Sequence, residues 1–190
     1  MKLIFDFDDT IFKNTGPFKE KIFSTLEKAG VSRDISEPYY REVREFEFSL
    51  KNFIAELFKR EGIEKNVEDV YEEIMSACKD CLNNDLVEIV KGASKENCYI
   101  VTNGESLYQK DKIERSGIAH LFSEIHTVPG SKKDVIEKIC EQHIKEKIIF
   151  IDNSERFFAD LDMERCKNLK TVLFDENGLK NLRKLLQLAD

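Results

Sequence analysis

The chain has 190 residues and a net charge of −7, with 41% hydrophobic and 35% charged residues. That length can bury one core, or one core with a small accessory domain, and the composition excludes a disordered or membrane-spanning chain. The acid excess argues against nucleic acid as the main partner, because phosphate-backbone binding needs clustered Lys and Arg.

Leu3 to Phe5 begin the chain as a short apolar run, too short for a signal-peptide core and interrupted by Asp6. No run approaches the length of a membrane span. A cytoplasmic location is therefore expected, and the five cysteines read as reduced thiols. Cys78 and Cys81 form a C-x-x-C without a second pair at zinc-finger spacing, so they read as ordinary half-buried thiols.

After the first run the pattern turns helical. Phe18, Ile22, Leu26 and Ala29 recur at helical spacing, then Tyr39, Val43, Phe46, Leu50, Phe53 and Leu57, then Val67, Val70, Ile74, Cys78 and Leu82. Residues 14–92 are thus expected to form a helical insertion. Its crossings are placed near Asn14 to Pro17 and Gly92 to Lys95, each with a glycine able to absorb hinge rotation.

Beyond the insertion, Tyr99 to Val101 and Ile148 to Ile151 are near-continuous apolar runs, the pattern of parallel strands covered on both faces. Ile125 to Val128 and Thr171 to Phe174 read as two less apolar strands. Between them Ser131 opens a helix with Val135, Ile136, Ile139, Cys140 and His143 on one face. Ser154 is placed to cap the next helix, with Phe157, Phe158 and Leu161 inward. Leu179, Leu182, Leu185, Leu186 and Ala189 mark a last amphipathic helix. The expected fold is α/β, a Rossmann-like parallel sheet core (residues 1–13 and 93–190) with an inserted all-helical cap.

In open α/β sheets, ligands collect beyond the carboxyl ends of the strands. Those ends carry Asp6-Phe7-Asp8-Asp9-Thr10, Thr102-Asn103-Gly104 and Asp152-Asn153, while Lys132 and Lys133 open the helix after the third strand. Clustered carboxylates repel unless a cation sits among them. Hard oxygen ligands without a nearby histidine suit Mg²⁺. A carboxylate can attack phosphorus, a second group can protonate the leaving oxygen, and hydroxyl, amide and ammonium groups can hold the phosphoryl oxygens. His120, His126 and His143 have no metal-ligand spacing and read as packing or surface residues.

With these residues in this order, the sequence resembles the haloacid dehalogenase superfamily, mostly phosphatases. Asp6-Phe7-Asp8-Asp9-Thr10 is similar to its first motif, Thr102 to its second, Lys132 or Lys133 to its third and Asp152 to its fourth. The resemblance implies Asp6 as nucleophile and metal ligand, and Asp8 as general acid and base that also offers a backbone carbonyl to Mg²⁺. It implies Asp152 as the remaining metal ligand and Thr102 with Lys132 as phosphate binders; Asn103 beside them is taken as a further substrate contact. The helical insertion is similar to a cap that closes over the substrate. One departure stands out. The fourth motif usually holds two acids, whereas Asn153 follows Asp152, which leaves Glu155, Asp160 or Asp162 to supply the second.

The expected activity is Mg²⁺-dependent hydrolysis of a small phosphorylated metabolite, with no membrane partner. Two alternatives share the fold: phosphoryl transfer as in a phosphomutase, and a catalytically weakened binding or scaffold protein, which Asn153 alone favours. A dehalogenase proper needs no acid at Asp8 and no Mg²⁺. Tyr39, Tyr40, Arg41 and Arg44 are the cap cluster considered for substrate selection.

Overall fold

The computed structural model describes residues 1–44 and 48–187. Phe46 and Ala189, assigned above to helical faces, lie outside the described residues. Five strands form one parallel sheet: β1 (Lys2–Phe5), β2 (Cys98–Asn103), β3 (Glu124–Val128), β4 (Ile148–Asp152) and β5 (Leu169–Leu173). Their order is β3-β2-β1-β4-β5. The chain runs from β1 out through β2 to β3, then returns past β1 to place β4 on its other side. The β1–β4 border is therefore the switch point of the sheet, where a crevice opens at the strand ends.

The apolar runs become strands because both faces of the sheet are covered. Side chains alternate across it. Leu3, Phe5, Ile100, Ile149 and Ile151 join one buried cluster, while Ile4, Tyr99, Val101, Ile148 and Phe150 join the other. β3, at one edge, is only partly buried, which matches its weaker apolar pattern.

Helices α1 (Lys19–Ala29), α2 (Arg33–Val43), α3 (Leu50–Glu61) and α4 (Val67–Met75) follow β1, then a 3₁₀ turn Ser76–Cys81 and α5 (Asn84–Gly92). The buried stripes of α1 and α3 follow the periodicity, and Val70 and Ile74 do so in α4; in α2 the buried side chains are Ser36 and Tyr40, while Tyr39 and Val43 are only partly buried. Ile22, Phe23 and Leu26 of α1 meet Leu50, Phe53, Ile54 and Leu57 of α3 and Ile74 of α4 in one cluster. Each such side chain contributes about 1.5–3 kcal/mol by leaving water. Cys78 and Cys81 are fully buried rather than half-buried, and all five cysteines are free thiols. Burial pushes the Cys78 thiol up to about 12, which leaves it inert at neutral pH.

The passage into and out of these helices is narrow. Phe12 pairs antiparallel with Leu82, the Lys13 amide donates to Cys81 at 2.7 Å, and the Asn83 amide donates to Ile11 at 2.7 Å. This meeting point lies ten residues before the crossing expected near Gly92, because α5 continues the same amphipathic period. The Asp85 carboxylate of α5 takes a 2.9 Å bond from Arg183 of α9 (Gly178–Gln187), the last helix of the sheet region. No helix among the described residues is long and apolar enough to cross a membrane.

Candidate active site

The site begins where β1 stops. The Asp6 amide still donates to Ile151 at 2.8 Å, and the register Phe5–Ile151 sets Asp6 level with Asp152. Asp152 is fully buried and Asp6 is 5% exposed. Between them stands Lys132, just ahead of helix α7 (Lys133–Gln142), with its ammonium 2.6 Å from Asp6 Oδ1 and 2.6 Å from Asp152 Oδ2. The ring of Phe157 lies 4.2 Å from the same ammonium. Burial raises the Asp6 carboxyl to about 6; the Lys132 charge opposes that shift, and the charges of Asp152 and Asp8 add to it. Lys133 instead points outward to Glu137 at 3.5 Å. Position, not residue type, separates the two lysines.

The turn after Asp6 separates the two motif acids. Asp9 adopts a left-handed backbone (φ 55°), held by a 2.6 Å amide bond to Phe12. Its carboxylate accepts from the Thr15 amide at 2.6 Å and from the Thr15 hydroxyl. A non-glycine residue in that region is uncommon and is kept only by such surrounding bonds. Within this turn the Thr10 hydroxyl donates to Asp6 Oδ2 at 3.1 Å. Asp8 turns to another partner: its carboxylate accepts from Lys112 at 2.6 and 2.8 Å and from Gln109 at 2.8 Å.

Thr102, the last residue but one of β2, is buried, and its hydroxyl has no hydrogen-bond partner among the described residues. A buried donor without a partner is costly, so a ligand oxygen would complete it. The Asn103 amide nitrogen donates to Val128 at 3.2 Å and Gly130 at 2.8 Å, tying β2 to the loop after β3. Asp6, Asp8, Thr102 and Asn103 line one cleft of about 330 Å³, together with Tyr40, Arg44 and Phe48 from the helical segment and Asn153 and Arg156 from the loop after β4. The sequence expectation thus converges at one place, with Asp152 and Lys132 reaching it through Asp6.

Other candidates lie elsewhere. Tyr39 stacks on Phe53 at 5.6 Å and Arg41 pairs with Glu37 at 3.1 Å, so of that cluster Tyr40 and Arg44 alone reach the cleft. His126 pairs with Glu124, and His143 with Tyr99 and Glu146. Ser154 does not cap α8 (Arg156–Ala159), because Glu155 stands at the N-cap position and makes no side-chain cap bond; the Ser154 backbone amide donates to Asp152 Oδ1 at 2.8 Å. None of Glu155, Asp160 and Asp162 lines the cleft; Asp160 accepts from Ser131, and Asp162 accepts from the amides of Glu164 and Arg165. Sequence reasoning missed Thr10, Gln109, Lys112 and Arg156. Thr10 was in view as part of the first motif. Gln109 and Lys112, on helix α6 (Ser106–Ser116), look like solvated helix residues in a sequence.

The donor set suits a hard divalent cation. Two buried carboxylates, Asp6 and Asp152, share one ammonium, which leaves one buried negative charge in excess. Among the described residues no three His, Cys, Asp or Glu side chains converge as a closed metal cage. Mg²⁺ does not need one, since it binds through one or two carboxylates with waters and substrate oxygens.

The family follows from comparison with known sequences. Residues 3–171 match the haloacid dehalogenase-like hydrolases. The chain belongs to this family. No curated protein matches it. Among solved structures, it is similar to the haloacid dehalogenase-like hydrolase YfnB from Bacillus subtilis, solved with magnesium bound. The identity there is 18%, with 97% of each chain covered and a TM-score of 0.57. A haloacid dehalogenase-like hydrolase from Burkholderia xenovorans shares 14% identity over 94% of this chain and 89% of the other, with a TM-score of 0.63. A protein from Thermotoga maritima named for β-phosphoglucomutase shares 16% over 97% of this chain and 100% of the other, with a TM-score of 0.59. At these identities the likeness is one of fold: a Rossmann-like α/β core.

Proposed function

We propose that this hydrolase cleaves small phosphomonoesters through an aspartyl phosphate on Asp6, with Asp8 as general acid and base. The observation that carries this reading is a buried carboxylate at the sheet's switch point, held against Lys132 beside a cleft that Thr102 also lines, its buried hydroxyl having no hydrogen-bond partner among the described residues. Phosphate chemistry needs little more than a nucleophile, positioning and charge stabilisation, and those are the groups present.

An Asp6 oxygen attacks phosphorus, and the bond from phosphorus to the ester oxygen breaks as Asp8 gives that oxygen its proton. Water then attacks the phosphorus of the aspartyl phosphate, passing a proton to Asp8; the bond to Asp6 breaks and inorganic phosphate leaves. Thr102 and Lys132 hold phosphoryl oxygens, while the Asn103 side chain, its two N–H groups taken by the Val128 and Gly130 carbonyls, shapes the cleft wall beside them. Mg²⁺, when bound, neutralises phosphoryl charge, held by the Asp6 and Asp152 carboxylates and the Asp8 backbone carbonyl. Helices α1 to α4 with the turn Ser76–Cys81 act as a cap, which on the Phe12–Leu82 meeting point spans residues 14–82 of the wider 14–92 helical region. Tyr40, Arg44 and Phe48 of that cap face the reacting groups and select a small, cytoplasmic phosphorylated metabolite.

A panel of phosphometabolites and haloacids, assayed with and without Mg²⁺, tests the reading. Expected is Mg²⁺-dependent phosphate release that disappears in a folded Asp6→Asn protein. Halide release without phosphate release, or an active Asp6→Asn protein, would overturn it. Transfer to a second sugar hydroxyl in preference to water would instead favour the phosphomutase reading.

A further inference from the structure

Gln109 and Lys112 stand three apart on α6, so they share one helix face, and both are buried (4% and 1% exposed). That face is turned toward Asp8. Lys112 donates to both Asp8 oxygens, at 2.6 and 2.8 Å. Gln109 Nε2 donates to Asp8 Oδ2 at 2.8 Å and to the Asn103 carbonyl at 2.9 Å. With two acceptors against it, the amide must present its nitrogen on this side; its oxygen is buried without a partner among the described residues. The Lys112 ammonium is ringed by Tyr108, Phe12 and Phe7, whose centroids lie 4.7, 5.4 and 5.7 Å away. Gly104 leaves the space for this arrangement. Its backbone is at φ +139°, and a Cβ there would come within 2.6 Å of Gln109 Nε2.

A plain structural tie between α6 and the Asp8 turn would explain the contacts but not the residue types. Desolvation offsets much of the attraction within a buried ion pair, and a methionine would pack among those rings without that cost. All three donor bonds end on the Asp8 carboxylate, which lines the cleft beside Asp6, whereas Asp9 of the same turn is held by Thr15. We propose that Lys112 and Gln109 are positioning residues for Asp8. They fix its carboxylate at the cleft wall with both oxygens as acceptors, the orientation that takes the proton of the water attacking the aspartyl phosphate. This rests on the acid–base role proposed above for Asp8.

The test uses the full chain with Mg²⁺, an activated aryl phosphate and an alkyl phosphate. Lys112→Met should lower kcat about 10- to 100-fold with little change in KM, since misplacing a catalytic group costs that order. On the aryl ester, which needs no acid for departure, a burst of aryl alcohol equal to the enzyme should precede the slow phase. Adding Lys112→Met to Asp8→Asn should cost nothing further. A raised KM with unchanged kcat, or a loss that adds fully to that of Asp8→Asn, would make the pair a structural tie and overturn the proposal. Gln109→Met keeps the ion pair and should show a smaller loss with the same burst; if Lys112→Met does not fold, this variant decides alone, and absence of the burst overturns the idea. Wild-type protein that releases no phosphate from any ester, or an active Asp6→Asn protein, would instead sink the underlying reading. The two failures are therefore separable.

Discussion

The Lys132 ammonium lies 2.6 Å from Asp6 and 2.6 Å from Asp152, so a single cation is shared by two buried carboxylates that belong to different strands. It makes the two strand ends one site. Replacing it leaves two buried anions without a counter-charge, a change that costs about 3–5 kcal/mol when a buried pair is broken. Lys132→Met is expected to melt well below the wild type at pH 8. The deficit should shrink toward pH 5, where the Asp6 carboxyl, raised by burial to about 6, can take a proton. Turnover should fall by at least about 100-fold. Equal melting temperatures at pH 8 would show that Lys132 is not the counter-charge of this pair.

Asp6 sets a second pH dependence. Its folded value of about 6 lies above the ordinary 3.8, so the folded chain holds this proton more tightly than the unfolded chain. Stability from this group is therefore present below about pH 4 and is lost as the pH rises through about 6, by about 3 kcal/mol in full. Mg²⁺ binds the ionised form and acts in the opposite direction. Thermal melts should show Mg²⁺ raising the melting temperature more at pH 7.5 than at pH 5, and Asp6→Asn should lose that difference. A Mg²⁺ effect independent of pH would contradict this account.

Thr102 allows stability and binding to be separated. Its hydroxyl is buried and makes no hydrogen bond among the described residues, so Thr102→Val removes nothing the free protein uses. The melting temperature is expected to stay level or rise. Inhibition by inorganic phosphate should weaken about 10-fold, the equivalent of one net hydrogen bond of about 1.4 kcal/mol to a charged group. Unchanged phosphate inhibition would remove Thr102 from the binding set.

Arg44 faces the same cleft from the helical segment, with its guanidinium 5.7 Å from the Tyr40 ring. Arg44→Ala should change the ranking of substrates across a phosphometabolite panel. Hydrolysis of a small aryl phosphate, which is too short to reach the cap, should stay within about 2-fold, because only remote binding energy is lost. A uniform loss on every ester would place Arg44 in the chemistry instead of in substrate choice.

Periodicity and strand-end chemistry carry most of the fold and much of the site. β1 and β4 are legible because a strand covered on both faces must be apolar throughout, and their ends carry Asp6 and Asp152. The stripes of α1, α3 and α4 are legible because one face of each must leave water. The sequence by itself therefore determined an α/β sheet, a helical segment after β1, and a set of polar residues at three strand ends. Tertiary structure alone decided the rest. Lys132 and Lys133 are the same residue type one position apart, and only the helix phase sends the first to Asp6 and the second to Glu137. The return of the chain at Phe12 and Leu82 leaves no mark in the pattern, because α5 keeps the same helical period whichever body it packs on. Gln109 and Lys112 are invisible as site residues for a related reason. In a sequence they are polar helix positions, and burial alone, against Asp8 from more than a hundred residues earlier in the chain, makes them part of the site. Local patterns record what a residue must avoid, while its partners are set by where the whole chain returns.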